Sequence, residues 1–199
     1  MQLRQPRRDA AEHRERILHT AVALFKEHGV DTVSMHQIAK SAGVGQGTLY
    51  RRYASKGELC IDLMNESFIQ FQVQIKAIVQ DRPAVSPADR LREIISVCID
   101  FLEDKSGYLG AVQSSQCEDG RPLMYRSAPY LFIQEQIQQL LLEHKEQHPA
   151  SAVDPEFTSH AFLAVICPEL YMEFRYSQGR TTEDIKRHVE QLLVDPLVR

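Results

Sequence analysis

Apolar positions along this 199-residue chain recur at three- and four-residue spacing from end to end, and no stretch alternates apolar with polar over strand length. The pattern predicts an all-α protein of about nine helices. Ile17, Ala21, Leu24 and Phe25 mark one face of a first helix, which Gly29 closes. Ser34 followed three residues later by Gln37 is a capping box, so a second helix starts there, and Gly43 breaks it. A short third helix runs from Gly45 or Gln46 to about Tyr53. Ser55 with Glu58 is another capping box. It opens a long helix carrying Leu59, Leu63, Phe68, Phe71, Ile75 and Ile78, which Pro83 ends.

Ser86-Pro87 opens the next helix, whose wide apolar face carries Leu91, Ile94, Ile95, Cys98, Ile99 and Leu102. A separate short helical piece is expected near Leu109–Cys117, and then a break at Glu118–Pro122. Tyr125 to about Lys145 reads as a helix kinked early by Pro129. Asp154-Pro155 starts a long apolar helix to about Ser177, bent at Pro168, and Thr181 caps a last one. The two terminal helices carry Phe162, Val165, Ile166, Leu170 and Phe174 with Val189, Leu192 and Leu193. That is more apolar surface than a hairpin buries alone. A twofold mate completing a four-helix bundle is therefore expected, making the protein a homodimer.

Charge changes the picture through its distribution. The net charge of −4 argues against a nucleic-acid partner, but residues 1–56 hold 10 Lys+Arg against 5 Asp+Glu, and residues 57–199 hold 13 against 22. A basic head on an acidic body attracts phosphate at one end and repels it at the other. No apolar run approaches the roughly 20 residues needed to cross a bilayer. The basic N-terminus has no apolar stretch behind it, so it does not read as a secretory signal. A cytoplasmic location without membrane association is expected. Cys60, Cys98, Cys117 and Cys167 are widely spaced with no C-x-x-C pair, which suits buried small side chains better than a zinc site or a disulfide framework.

The chemistry concentrates in Ser34 to Lys56. Two short helices joined by a tight glycine turn make a helix-turn-helix. Ile38, Ala39, Val44, Leu49 and Tyr53 supply its small core. Gln46, Gly47, Thr48, Tyr50, Arg51 and Arg52 then remain on the second helix, and such groups suit a helix that enters a major groove and touches phosphate. The organisation expected is an arm over 1–10, a helix-turn-helix domain over 11–54 and a helical body over 55–199.

About 50 residues resemble the DNA-binding region of the TetR family of bacterial regulators. The matching pieces are Arg16-Ile17-Leu18, Leu24-Phe25, Gly29, Ser34, Ile38-Ala39, Ala42-Gly43-Val44, Gly47-Thr48-Leu49-Tyr50, Tyr53, and Ser55-Lys56 with Leu59. The resemblance implies a phosphate bond from Ser34, a groove-facing His36, base reading by Gln46 and close approach of DNA at Gly47. It also implies phosphate contacts from Thr48, Tyr50 and Lys56, to which Arg51 and Arg52 add positive charge. Gly45 and Gln46 depart from the family, which often has Ser or Thr, then Lys, at these positions. Arg4, Arg7 and Arg8 in the arm read as an idle solvated tail in preference to a source of further phosphate or minor-groove contacts.

The same resemblance implies a small-molecule effector cavity within Ser55 to Lys145. Its candidate lining is Phe68, Phe71, Gln72, Ile75, Cys98, Phe101, Gln113, Gln116, Tyr125 and Phe132, a mix that suits a largely apolar, uncharged effector. The function implied is a ligand-responsive transcriptional repressor, released from a palindromic DNA operator by a small molecule. It is not an enzyme and needs no cofactor or metal. The competing reading is a helical ligand-binding module or enzyme that keeps the head without using it on DNA. Gly43-x-Gly45-x-Gly47 follows a helix rather than a strand and so is not a dinucleotide loop. His144 and His148 read as the hydrated end of a helix rather than a metal pair.

Overall fold

The computed structural model describes residues 6–113 and 127–198. Every element among them is helical: α1 Pro6–His28, α2 Met35–Ser41, α3 Gln46–Arg52, α4 Lys56–Gln80, α5 Pro87–Gln113, α6 Ala128–Gln147, α7 Pro155–Val165, α8 Pro168–Met172 and α9 Thr182–Leu193. A π-helical turn, Glu173–Ser177, continues α8, and a 3-10 turn, Asp195–Leu197, follows α9. The chain divides into two compact units, one of Met1–Asn65 with Gly107–Cys117, the other of Glu66–Ser106 with Glu118–Arg199.

In the first unit, Ile17, Ala21 and Phe25 of α1 bury the face that their spacing predicts. They pack with Ile38 and Ala39 of α2, Leu49 of α3, Leu59 and Cys60 of α4, and Ala111 of α5. Full burial of one such aliphatic side chain contributes about 1.5–3 kcal/mol, so this cluster holds the short helices α2 and α3 in place. α1 begins at Pro6 and so takes in residues 6–10, which the sequence assigned to the arm. Gly29 ends it at φ 83°, with its N–H on the Phe25 carbonyl at 2.9 Å.

Three element boundaries differ from expectation. α5 is continuous from Pro87 to Gln113, with no separate piece beyond Leu102. Gly107 sits inside that helix, where a glycine weakens the helix without breaking it. Pro129 does not kink α6. The helix starts at Ala128 with Ser127 as its cap, so the proline falls in the first turn, where it removes no helical hydrogen bond. Pro168 does more than bend the long terminal helix. Cys167 turns extended and Pro168 starts α8 afresh.

The second unit is organised around Arg90, whose side chain is only 2% exposed. Its Nε donates to the Val85 carbonyl at 3.1 Å, Nη1 to the Val79 carbonyl at 2.9 Å, and Nη2 to Glu143 of α6. One guanidinium thus ties the end of α4, the following turn and α6 to α5. Glu103 of α5 accepts from Tyr171 and, at 3.1 Å, from Arg175. These bonds fasten α8 and its π-turn.

That packing corrects the expected dimer face. Phe162, Ile166 and Val189 are buried within the chain's own second unit. Val165 and Phe174 join Ile166 and Val189 around a small cavity of about 20 Å³, closed by Leu102 of α5. The terminal hairpin is not left to bury its apolar surface alone, because α5 covers it. Leu170 and Leu193 are half-buried, and Leu192, 61% exposed, stays available to a mate.

Candidate nucleic-acid interface

The helix-turn-helix is set by local bonds before any packing acts. Ser34 Oγ accepts the Gln37 N–H at 3.2 Å, and Gln37 Oε1 accepts both the Ser34 N–H and the Ser34 hydroxyl at 2.8 Å. The capping box is therefore complete, with a consequence for chemistry. Both donors of Ser34 are taken by Gln37, so the phosphate bond expected from Ser34 has no free donor behind it.

Gly43 then takes φ 61°, a conformation that side chains other than glycine's resist. The chain turns, Val44 donates to the Ala39 carbonyl at 3.0 Å, and α3 begins with Gly45 as a cap that has no side chain. Leu49 and Tyr53 point into the core. His36, Gln46, Gly47, Arg51 and Arg52 lie exposed, Tyr50 is 49% exposed and Thr48 is half-buried. The structure thus gathers His36 and the α3 candidates on accessible faces of two adjacent helices. The Arg52 guanidinium lies 5.9 Å from the centre of the Tyr53 ring.

Neither glycine beside Gln46 is packed against a neighbour. A Cβ built on Gly47 meets nothing within 4 Å, and one on Gly45 meets only Thr48 Oγ1 at 3.9 Å. Neither sits in the left-handed region. Gly45 is the N-cap, a position that prefers glycine to alanine, whereas Gly47 lies within the first turn and gives up stability relative to alanine.

Lys56 corrects the sequence reading more sharply. Its Nζ donates to the carbonyls of Val30, Asp31 and Val33 at 2.6, 3.2 and 3.1 Å. All three ammonium hydrogens hold the loop between α1 and α2. The lysine is a clamp on the head rather than an open hand for phosphate. The second capping box also differs in detail. Ser55 Oγ accepts from the Glu58 N–H at 3.2 Å, while Glu58 Oε2 reaches back one residue further, to the Ala54 N–H at 2.6 Å.

Sequence reasoning missed Arg14 and Asp62. Arg14 Nε and Nη2 donate to the two Asp62 oxygens at 2.9 and 2.5 Å, and Tyr53 Oη donates to Asp62 Oδ2 at 2.6 Å. The Arg14 bonds hold the Asp62 carboxyl below its ordinary range, and the Tyr53 hydroxyl adds to the effect. Burial and the neighbouring carboxylate push the Tyr53 phenol up. A signal was present. Arg14 continues the buried stripe of Ile17, Ala21 and Phe25 one turn toward the N-terminus, and a charge on an apolar stripe requires a partner.

In the second unit four of the expected effector residues meet. Phe68 stacks on Phe71 with ring centres 5.8 Å apart and packs edge-on against Phe101 and Phe132 at 6.4 and 6.3 Å. Phe71 and Phe101 are 4.9 Å apart. Ile75 and Cys98 are buried and Gln72 half-buried. Gln116 and Tyr125 lie outside the described residues, as does the side chain of Gln113. Burial raises the Cys60 and Cys98 thiols to about 11 and about 12, so neither is a ready thiolate. No group of three or more His, Cys, Asp or Glu side chains among the described residues is arranged to hold a metal. No helix among them is long and apolar enough to cross a membrane.

Residues 17–63, spanning the core of this head, match the family model described as bacterial regulatory proteins, tetR family. The head is thus similar to the DNA-binding region of the TetR family. Two HTH-type transcriptional regulators of Staphylococcus aureus are similar to this chain. One, from strain bovine RF122 / ET3-1, is 38% identical over 96 residues, which is 48% of this chain and 49% of that protein. The other, from strain MRSA252, is 34% identical over 125 residues, 62% of this chain and 64% of that protein. The match thus spans about half to just under two thirds of these relatives. Two solved structures share the TetR-family fold along most of the chain. Thermus thermophilus FadR, a TetR-family transcriptional repressor in complex with lauroyl-CoA, gives a TM-score of 0.68 at 20% identity, covering 90% of this chain and 92% of that one. NalD of Pseudomonas aeruginosa, the secondary repressor of a multidrug efflux pump, gives 0.56 at 22%, covering 94% and 95%.

Proposed function

We propose that this chain is a ligand-responsive DNA-binding regulator, most simply a repressor that leaves a palindromic operator when a small molecule binds. The observation that carries the reading is the surface of α3. Gln46, Tyr50, Arg51 and Arg52 are exposed there, and Gly45 and Gly47 leave open space on either side of Gln46. A basic, polar helix face cleared of side chains matches close approach to base edges and phosphates.

The effector is proposed to enter at the phenylalanine cluster of the second unit. Its aromatic walls, with Gln72 beside them, favour a largely apolar molecule. A twofold mate is proposed to cover the exposed apolar side chains of the terminal elements, Leu192 on α9 and Phe157 on α7, which is 74% exposed. Two reading helices spaced by about one DNA turn, roughly 34–36 Å, would then meet successive major grooves. α4 runs without interruption from residues of the first unit into the second and is the natural lever. An effector shifts the equilibrium only as far as its affinity differs between the two head spacings.

The test is retention of genomic fragments by the purified protein, followed by salt titration on the recovered duplex. Arg51→Ala should weaken binding and flatten the slope of log affinity against log salt by about 0.9 for the phosphate contact removed. A purified dimer that retains no fragment at low salt would favour a ligand-binding module that keeps its head for another purpose.

A further inference from the structure

Gln46, the first residue of α3, brings its amide nitrogen against Nδ1 of His36 on α2, and both side chains lie on exposed surface. We infer that His36 is a positioning residue for base readout: by accepting one amide hydrogen of Gln46 it holds the remaining N–H and Oε1 of that amide as a single outward edge. The inference rests on the DNA-binding reading and specifies how that site discriminates between bases.

The chemistry of the carboxamide supports it. A glutamine amide has two N–H donors and a carbonyl acceptor. Bidentate pairing with adenine uses one N–H, toward N7, and the oxygen, which accepts from N6. One N–H is left over, and His36 Nδ1 takes a hydrogen from the same nitrogen. An imidazole that accepts at Nδ1 carries its proton on Nε2, so the ring is neutral and in one tautomer. An unrestrained surface glutamine presents its donor and acceptor in either order. A glutamine tethered through its nitrogen presents them in one, and only one order matches adenine.

The surroundings agree. Gly45 and Gly47 flank Gln46, and neither glycine is required by its backbone conformation or by a packed neighbour. Nothing beside the amide competes for the base edge. His36 itself sits one helix away, between the caps and core positions of α2, where it has a second residue to orient but no buried role of its own.

The experiment selects duplexes from a pool randomised across one half-site, using the full-length wild type and the variants His36→Ala, His36→Gln and Gln46→Ala. Gln46→Ala should relax the preference at one base pair. His36→Ala should relax that same base pair, roughly tenfold, while the other positions and the salt dependence hold. His36→Gln, whose carboxamide oxygen accepts the same hydrogen, should restore the preference. A His36→Ala protein that selects the wild-type sequence, or relaxes a different base pair, overturns the inference and leaves the DNA-binding reading intact. A wild type that selects no duplex overturns both. Circular dichroism and melting of these surface variants show that the helices are unchanged.

Discussion

Tyr53, buried at the end of the reading helix, gives its hydroxyl hydrogen to Asp62 on α4 across 2.6 Å. Arg14 donates to both oxygens of the same carboxylate, so one acid pins α1 and the end of α3 to α4. Arg14 is partly solvent-exposed, and the ion pair alone is worth little. The hydroxyl is the expensive partner, because Tyr53 is only 4% exposed. Asp62→Ala strands that buried hydroxyl and should cost about 2 kcal/mol in urea unfolding. Tyr53→Phe, which removes the buried donor and leaves Asp62 its Arg14 bonds, should cost about 1 kcal/mol. The folded carboxyl is held below its ordinary range, so the unfolded chain takes up the proton first. This contribution is therefore complete above about pH 4 and is lost as pH falls through the lower folded value. An Asp62→Ala protein should lose the corresponding acid-side slope of stability.

Lys56 separates two explanations of one phenotype. Its ammonium holds three carbonyls of the α1–α2 loop, and Lys56→Met keeps the stem while removing every donor. Stability should fall by about 1–2 kcal/mol, and duplex affinity with it, as the head loosens. The salt slope should not change. A slope shallower by about 0.9 would mean that the lysine leaves the loop to meet a phosphate in the complex.

These two residues also mark how far the sequence could be read. The helix pair was legible because its determinants are local. A capping box, a left-handed glycine and a three-to-four spacing each act within a few residues, and Ser34, Gly43 and Leu49 sit where they were expected. The partners of Lys56, Arg14 and Arg90 were not legible. Apart from Val85, five residues from Arg90, each lies 11 to 53 residues away in sequence, and a lysine that binds carbonyls looks, as a letter, like one that binds phosphate. Three residues of the expected dimer face were misplaced for the same reason. Counting the apolar positions of α7 to α9 could not reveal that α5 covers Phe162, Ile166 and Val189. Pro129 and Pro168 show a narrower limit. A proline one residue inside a helix start and one in mid-helix differ only by where the cap falls.

Burial rather than the number of ion pairs should decide which charges matter in the second unit. Glu143→Ala leaves the Arg90 guanidinium, almost wholly buried, with two carbonyls and no counter-charge. Because Glu143 is itself about a third exposed, the loss is expected near the lower end for a broken buried pair, about 3 kcal/mol. Arg92 also bridges two acids, Asp89 at 2.7 Å and Asp195 at 3.0 Å, but all three are substantially exposed. Arg92→Ala should cost about 0.5 kcal/mol. Urea melts of the two variants should differ several-fold in their loss. Equal losses would mean that Arg90 finds another counter-charge when Glu143 is gone.

His144 should give the protein a pH dependence on the mildly acidic side. The ring is 2% exposed, stacked on His148 with centres 4.5 Å apart, and its buried Nε2 has no hydrogen-bond partner among the described residues. It is thus a packed residue of α6 rather than part of a hydrated helix end. Burial, and then the proximity of His148, hold its pKa below the ordinary value of 6.5. The folded state resists the proton that the unfolded chain accepts, so stability from this site is complete above about pH 6.5 and declines as pH falls below it. His144→Leu removes the titration and should flatten the stability profile just below about pH 6.5, while leaving the acid-side loss governed by Asp62 in place. A wild-type profile that is flat across that interval would show that the buried ring gains a partner when protonated.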